Sequence, residues 1–105
     1  MIWVKYQTRN KVIESIDVSG HADFAQQGQD IVCAACSLTV TGLCNAIDQL
    51  TQDSCEIQIE EGHTHIAVLN DSEQLQLILQ TGIIQLKTLA ERFRRYVRVR
   101  KVEVK

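Results

Sequence analysis

The stretch "GHADFAQQGQDIVCAACS", residues 20–37, is where the chain changes period. Before it, "KVIESIDVSG" alternates every second residue; after Asp30, apolar residues recur every three or four positions, at Val32, Cys36, Val40, Leu43, Ile47 and Leu50. A period of two belongs to a strand with one buried face, and a period of three to four is one stripe of a helix. The stretch therefore predicts a strand ending at His21, a polar loop over residues 22–29, and a helix starting near Cys33 with Asp30 as its N-cap.

Upstream, "IWVKYQ" also alternates and is followed by the turn-like "TRN". With Val12, Ile16 and Val18 on one face of the next run, this predicts a hairpin. Downstream, "CEIQIEEGHTHIAVLN" gives Cys55, Ile57 and Ile59, a turn at Glu61 and Gly62, then Ile66 and Val68, a second hairpin. Asn70, Asp71 and Ser72 can cap a second helical pattern through Leu75, Ile78, Leu79, Leu86, Leu89, Ala90 and Phe93, ending near Arg95. The closing "YVRVRKVEVK" reads as a strand. Its valines change parity between Val99 and Val102, which predicts a β-bulge at Arg100 and Lys101 in preference to a chain that leaves the core after Arg100, with Val102 and Val104 in a subunit contact or frayed. The order is ββαββαβ: an α+β fold with two helices covering one face of a largely antiparallel sheet. At 105 residues the expectation is a single domain, 1–105, with one core.

A hydrophobic fraction of 45% and a charged fraction of 23% are ordinary for a soluble globular chain and argue against disorder. The apolar runs fall short of the roughly 18 residues a membrane span needs, and no basic leader precedes an apolar block. The expectation is a cytoplasmic protein, with no membrane partner, whose four cysteines are reduced thiols. Charge divides the chain. Residues 1–86 carry 3 basic and 11 acidic side chains, whereas residues 87–105 carry 8 basic and 2 acidic. The basic end is either a solvated helix terminus that complements the helix dipole or a surface for nucleic acid or acidic protein. No aromatic platform or glycine-rich phosphate loop accompanies that charge in the sequence, so nucleic acid is not a required partner.

A thiol in the first helical turn sits where unpaired N–H groups and the helix dipole favour its anion, so Cys33 is a candidate nucleophile. If the loop folds back, His21 can take the thiol proton and return it to a leaving amine. The helix-start N–H groups could receive an oxyanion. Asp30 either orients His21 or only caps the helix, and Ser37 lies one turn after Cys33 on the same face. A buried structural cysteine beside an unrelated histidine would give the same spacing.

The pattern Gly20, His21, Ala22, then Gly28, then Asp30, Ile31, Val32, Cys33, Ala34, Ala35 and Ser37 resembles the signature of the ribosomal-processing cysteine protease (Prp) family. The resemblance extends over essentially the whole chain, with residues 20–37 as its diagnostic part. It implies a cytoplasmic endopeptidase, acting as a homodimer, that removes the N-terminal extension of large-subunit ribosomal protein twenty-seven; no cofactor or metal is expected. His21 and Cys33 would take the family's catalytic positions, and Asp30 and Ser37 would match supporting ones. Residues 22–29, including Ala22, Asp23, Phe24 and Gly28, would match a mobile loop over the site. Cys36 departs from the apolar residue usual in the family.

That cysteine completes "CAAC", a possible redox pair, although the polar loop before it is unlike the buried strand of a thioredoxin-like site. Zinc could be assembled on paper from Cys33, Cys36, His63 and His65. Strand parity opposes this, because His63 and His65 are out of phase with Ile66 and Val68 and so face away from the helices. The competing functions are therefore a non-catalytic ribosome-associated binding module using the basic C-terminal region, or a thiol redox protein. Leu77 and Ile84, a heptad apart and off the main stripe of the second helix, mark a candidate dimer surface.

Overall fold

Among the described residues, five strands and two helices form in the predicted order: β1 (Ile2–Arg9), β2 (Val12–Gly20), α1 (Ile31–Leu50), β3 (Cys55–Glu60), β4 (His63–Val68), α2 (Glu73–Arg92) and β5 (Val97–Val104). The computed structural model describes residues 1–26 and 28–105. The strands make one sheet in the order β3-β4-β2-β1-β5. Every neighbouring pair is antiparallel except β1 and β5, which run parallel. Both helices pack on the same face. Ile2, Val4, Ile16, Ile66 and Val97 from the sheet meet Val32, Ile47, Leu75, Leu79 and Leu86 from the helices in one core.

The local signals act as read. Asp30 Oδ1 accepts the Cys33 N–H at 2.9 Å, and Ser72 Oγ accepts the Leu75 N–H at 3.1 Å, each satisfying an otherwise unpaired helix-start donor. Asn10 and Lys11 both take positive φ, the backbone that a two-residue hairpin loop needs. The helices approach closely at Gly82, where a Cβ would stand 2.6 Å from Leu43 Cδ2.

Several details depart from the sequence reading. The bulge lies in β2 and not in β5. Gln7 pairs with Ser15 and Thr8 with Ile13, so Glu14 is the extra residue and the parity of β2 flips there. Ile13 is consequently buried while Val12 is exposed. The side chain of Gln76 on α2 serves the bulge: its Oε1 accepts the Ile13 N–H at 2.9 Å and its Nε2 donates to the Ile13 carbonyl at 2.8 Å. The β1–β5 register, by contrast, runs from Ile2 with Val97 to Arg9 with Val104 without interruption. Val97 and Val99 thus face the helices, and Val102 and Val104 lie on the other face. Helix α2 stops at Arg92, because Phe93 through Tyr96 form a turn that leads into β5. Ile83 joins its buried stripe. On α1, Cys44 is buried and Leu50, the last helical residue, is 72% exposed. By length and composition α1 is apolar enough to cross a membrane, contrary to the sequence reading; here its apolar stripe lines the core against the sheet.

Candidate active site

The site is built where β2 ends and α1 begins. Gly20 closes β2 at φ +92°, a conformation open chiefly to glycine, and a Cβ there would collide with the Met1 carbonyl oxygen. Its N–H donates to the Gly62 carbonyl at 3.0 Å, which joins the strand end to the β3–β4 turn. His21 follows, with its ring against Gly62: a Cβ at position 62 would lie 3.1 Å from Nε2. Gly62, itself at φ +71°, was legible in the sequence only as a turn residue.

Ala22 then turns inward. It is buried, and its N–H donates to Cys33 Sγ at 3.3 Å. Cys33, the third residue of α1, is half-buried. His21, Cys33 and Ser37 line a cleft of ≈ 230 Å³ together with Gly62. They also share the edge of a wider cleft of ≈ 620 Å³, lined further by Asp23, Gly28 and Asp30. The structure thus brings together a thiol, an imidazole and a hydroxyl, with a backbone amide directed at the sulfur.

Asp30 is occupied chiefly by backbone. Oδ1 caps Cys33, and Oδ2 accepts the Phe24 and Ala25 N–H groups at 3.0 and 3.4 Å. Desolvation raises its carboxyl pKa, but the N–H groups of Cys33, Phe24 and Ala25, helped by the Cys33 thiol, outweigh this and hold it below the usual 3.8. Of the two roles considered for Asp30, the described residues give it capping and loop anchorage, not orientation of His21. The same bond uses the Cys33 N–H, and Ala34 N–H donates to the Asp30 carbonyl at 3.0 Å, so these two helix-start donors are already engaged.

The loop is tied down at its first half. Phe24 stands edge-on to Tyr96, with centroids 5.1 Å apart, and to Phe93 at 6.1 Å. These two aromatics, which the sequence reading did not connect to the site, come from the turn between α2 and β5. Gly28, at φ +88°, has open space where a Cβ would be; Gln27 lies outside the described residues.

Cys36 is buried one turn below Cys33. Burial, reinforced by the neighbouring Cys33, pushes its thiol up to about 11, so at neutral pH it stays protonated and is a poor partner for thiol exchange. His63 and His65 point to the helix-free side of the sheet, as strand parity requires. There His63 Nε2 and His65 Nδ1 both bond Asp17 Oδ1, at 3.0 and 2.7 Å. The four residues that could have bound zinc on paper are therefore not brought together.

Comparison with known proteins agrees with this geometry. The family model for cysteine protease Prp matches residues 1–98. The ribosomal processing cysteine protease Prp of Staphylococcus aureus is 37% identical over 90 residues, spanning 83% of this chain and 85% of that protein. Its Bacillus subtilis counterpart is 30% identical over 100 residues, 89% of each chain. The crystal structure of the S. aureus protease with a covalently linked product peptide superposes with a TM-score of 0.92 at 33% identity, over 96% of this chain and 99% of that one. A strand–loop–helix unit carrying thiol and imidazole in one cleft, on a fold shared with a peptide-bound protease, has one assignment: the chain belongs to the Prp family of cysteine proteases.

Proposed function

We propose that this ribosomal processing cysteine protease is a cytoplasmic endopeptidase that removes the N-terminal extension of large-subunit ribosomal protein twenty-seven, with Cys33 as nucleophile and His21 as general base and acid. The observation that carries the reading is the meeting of Cys33 and His21 in one cleft at the start of α1, with the Ala22 N–H directed at Sγ. The S. aureus relative has been crystallised with a substrate peptide, which supports a peptide as the ligand of this cleft.

In this reading His21 takes the Cys33 proton and Sγ attacks the scissile carbonyl carbon, forming the S–C bond. The Ala22 N–H then turns from the sulfur to the carbonyl oxygen, whose negative charge it stabilises. Collapse breaks the C–N bond, and His21 gives its proton to the departing amine. Water, deprotonated by His21, attacks the thioester; the S–C bond breaks and the thiol is restored. Asp30 keeps the helix start and the loop in place, while Ser37 borders both clefts beside the reacting sulfur. The loop over residues 22–29 gates access, and two copies pair through Leu77 and Ile84, which are 64% and 63% exposed.

The test is cleavage of full-length precursor. Cys33→Ala and His21→Ala should each abolish processing with the fold intact by circular dichroism; turnover retained in either variant would refute the assignment. Sedimentation of wild type and of Leu77→Glu with Ile84→Glu tests the dimer.

A further inference from the structure

The parallel pairing of β1 with β5 creates a surface that neither strand shows alone. On the helix-free face Trp3, 51% exposed, stands in register with Arg98, and Lys5 stands in register with Arg100. The basic end of the chain thus does acquire an aromatic platform, supplied from the opposite end of the sequence. Charge on this face is segregated. Toward the β3 edge it carries Glu56 and Glu60, in the middle Asp17 is engaged by two histidines, and toward the β5 edge it carries arginine. Among the described residues, Arg98 and Arg100 make no ion pair. Ser19, on β2, lies in register with Trp3 on its other side.

We propose that this face binds single-stranded RNA, with a base stacked on Trp3 and phosphates held by Arg98 and Arg100. An exposed aromatic on an open sheet, flanked by guanidinium groups, is the arrangement by which single strands are held through stacking and charge. The choice of RNA over DNA rests on Ser19, a hydroxyl residue in register with Trp3 that can pair with a 2′-OH, and on the ribosomal reading given above. The acidic β3 edge confines the strand to the β1–β5 side. Cys33 and His21 lie on the helix side of the sheet, so the strand can bind without occupying the cleft.

Trp3 is the only tryptophan in the chain, so its fluorescence reports this face alone. Titration of the protein with a twelve-residue oligo(A) RNA should quench that emission at low salt. By anisotropy of labelled RNA, Trp3→Ala should weaken binding about tenfold while Trp3→Phe keeps most of it. Arg98→Ala and Arg100→Ala should each reduce the slope of log affinity against log salt by about 0.7. Peptide cleavage should be unchanged in all four variants, so a failure here leaves the protease reading standing. Absence of quenching, equal binding by Trp3→Ala, equal affinity for oligo(dA) DNA, or equal binding of polyglutamate would each overturn the proposal.

Discussion

The imidazole of His21 rests on the backbone of Gly62, so that a side chain at position 62 would begin 3.1 Å from Nε2. The imidazole proposed as the base is therefore seated on a hairpin turn more than forty positions downstream. Gly62→Ala must strain a residue at φ +71° and displace the ring by a few tenths of an ångström. The strain should cost about 1 kcal/mol. Processing rate should fall roughly tenfold, since small misplacements of a catalytic group are expensive. Chemical denaturation and single-turnover cleavage separate the two effects; a variant with wild-type turnover would show that the seat is not needed.

Phe24 fastens the loop to Phe93 and Tyr96. Phe24→Ala should speed amide hydrogen exchange at residues 22–26, where the aromatic contacts contribute about 1 kcal/mol beyond area burial. The core strands β1 and β2 should keep their protection. Exchange unchanged at the loop would mean that Asp30 alone holds it.

Gln76 replaces a neighbouring strand at the β2 bulge by pairing with both backbone groups of Ile13. Gln76→Ala leaves these half-buried groups without their partner and should cost about 2 kcal/mol, or roughly 10 °C in Tm. Gln76→Glu keeps the shape but loses the donor to the Ile13 carbonyl, and should also destabilise. Thermal melts of the two variants test this directly.

Burial raises the pKa of Asp17, but hydrogen bonds and charge from His65 and His63 outweigh it and hold the carboxyl below 3.8. A depressed folded pKa means that the group's contribution is complete above the unfolded value and is lost as pH falls through the folded one. Wild type should therefore exceed Asp17→Asn in stability near neutrality. That margin should shrink below pH 4. Urea midpoints at pH 7 and pH 3 measure it, and a constant difference would assign the cluster no linkage.

Element order, the Asp30 cap, a cap within residues 70–72 and the side of the sheet taken by His63 and His65 were legible in the sequence, because each rests on local periodicity or a single capping contact. The bulge was placed in the wrong strand for an instructive reason. Valines of mixed parity in β5 suggested a slip, yet an edge strand tolerates half-buried valines on its open face, as Val102 and Val104 do. The true slip in β2 is hidden, since Val12 and Ile13 are adjacent and either could face the core. The meeting of Cys33 and His21 in one cleft was legible because one strand–loop–helix unit carries both. Gly62, Phe93 and Tyr96 were not, since only tertiary pairing brings them to that unit, and nothing in "IWVKYQ" announces Arg98 as a neighbour.

Asp30 holds two things at once: the first-turn amide of Cys33 and the loop amides of Phe24 and Ala25. Because one carboxylate joins them, the loop and the helix start are coupled, and the effect of ordering the loop on the helix start equals the reverse effect. Under the proposed function, a substrate peptide that presses residues 22–26 closed would tighten the turn that bears Cys33, and modification of Cys33 should be felt in the loop. Under that proposal, admission of substrate and readiness of the thiol would be coupled through a side chain that takes part in no bond-making step.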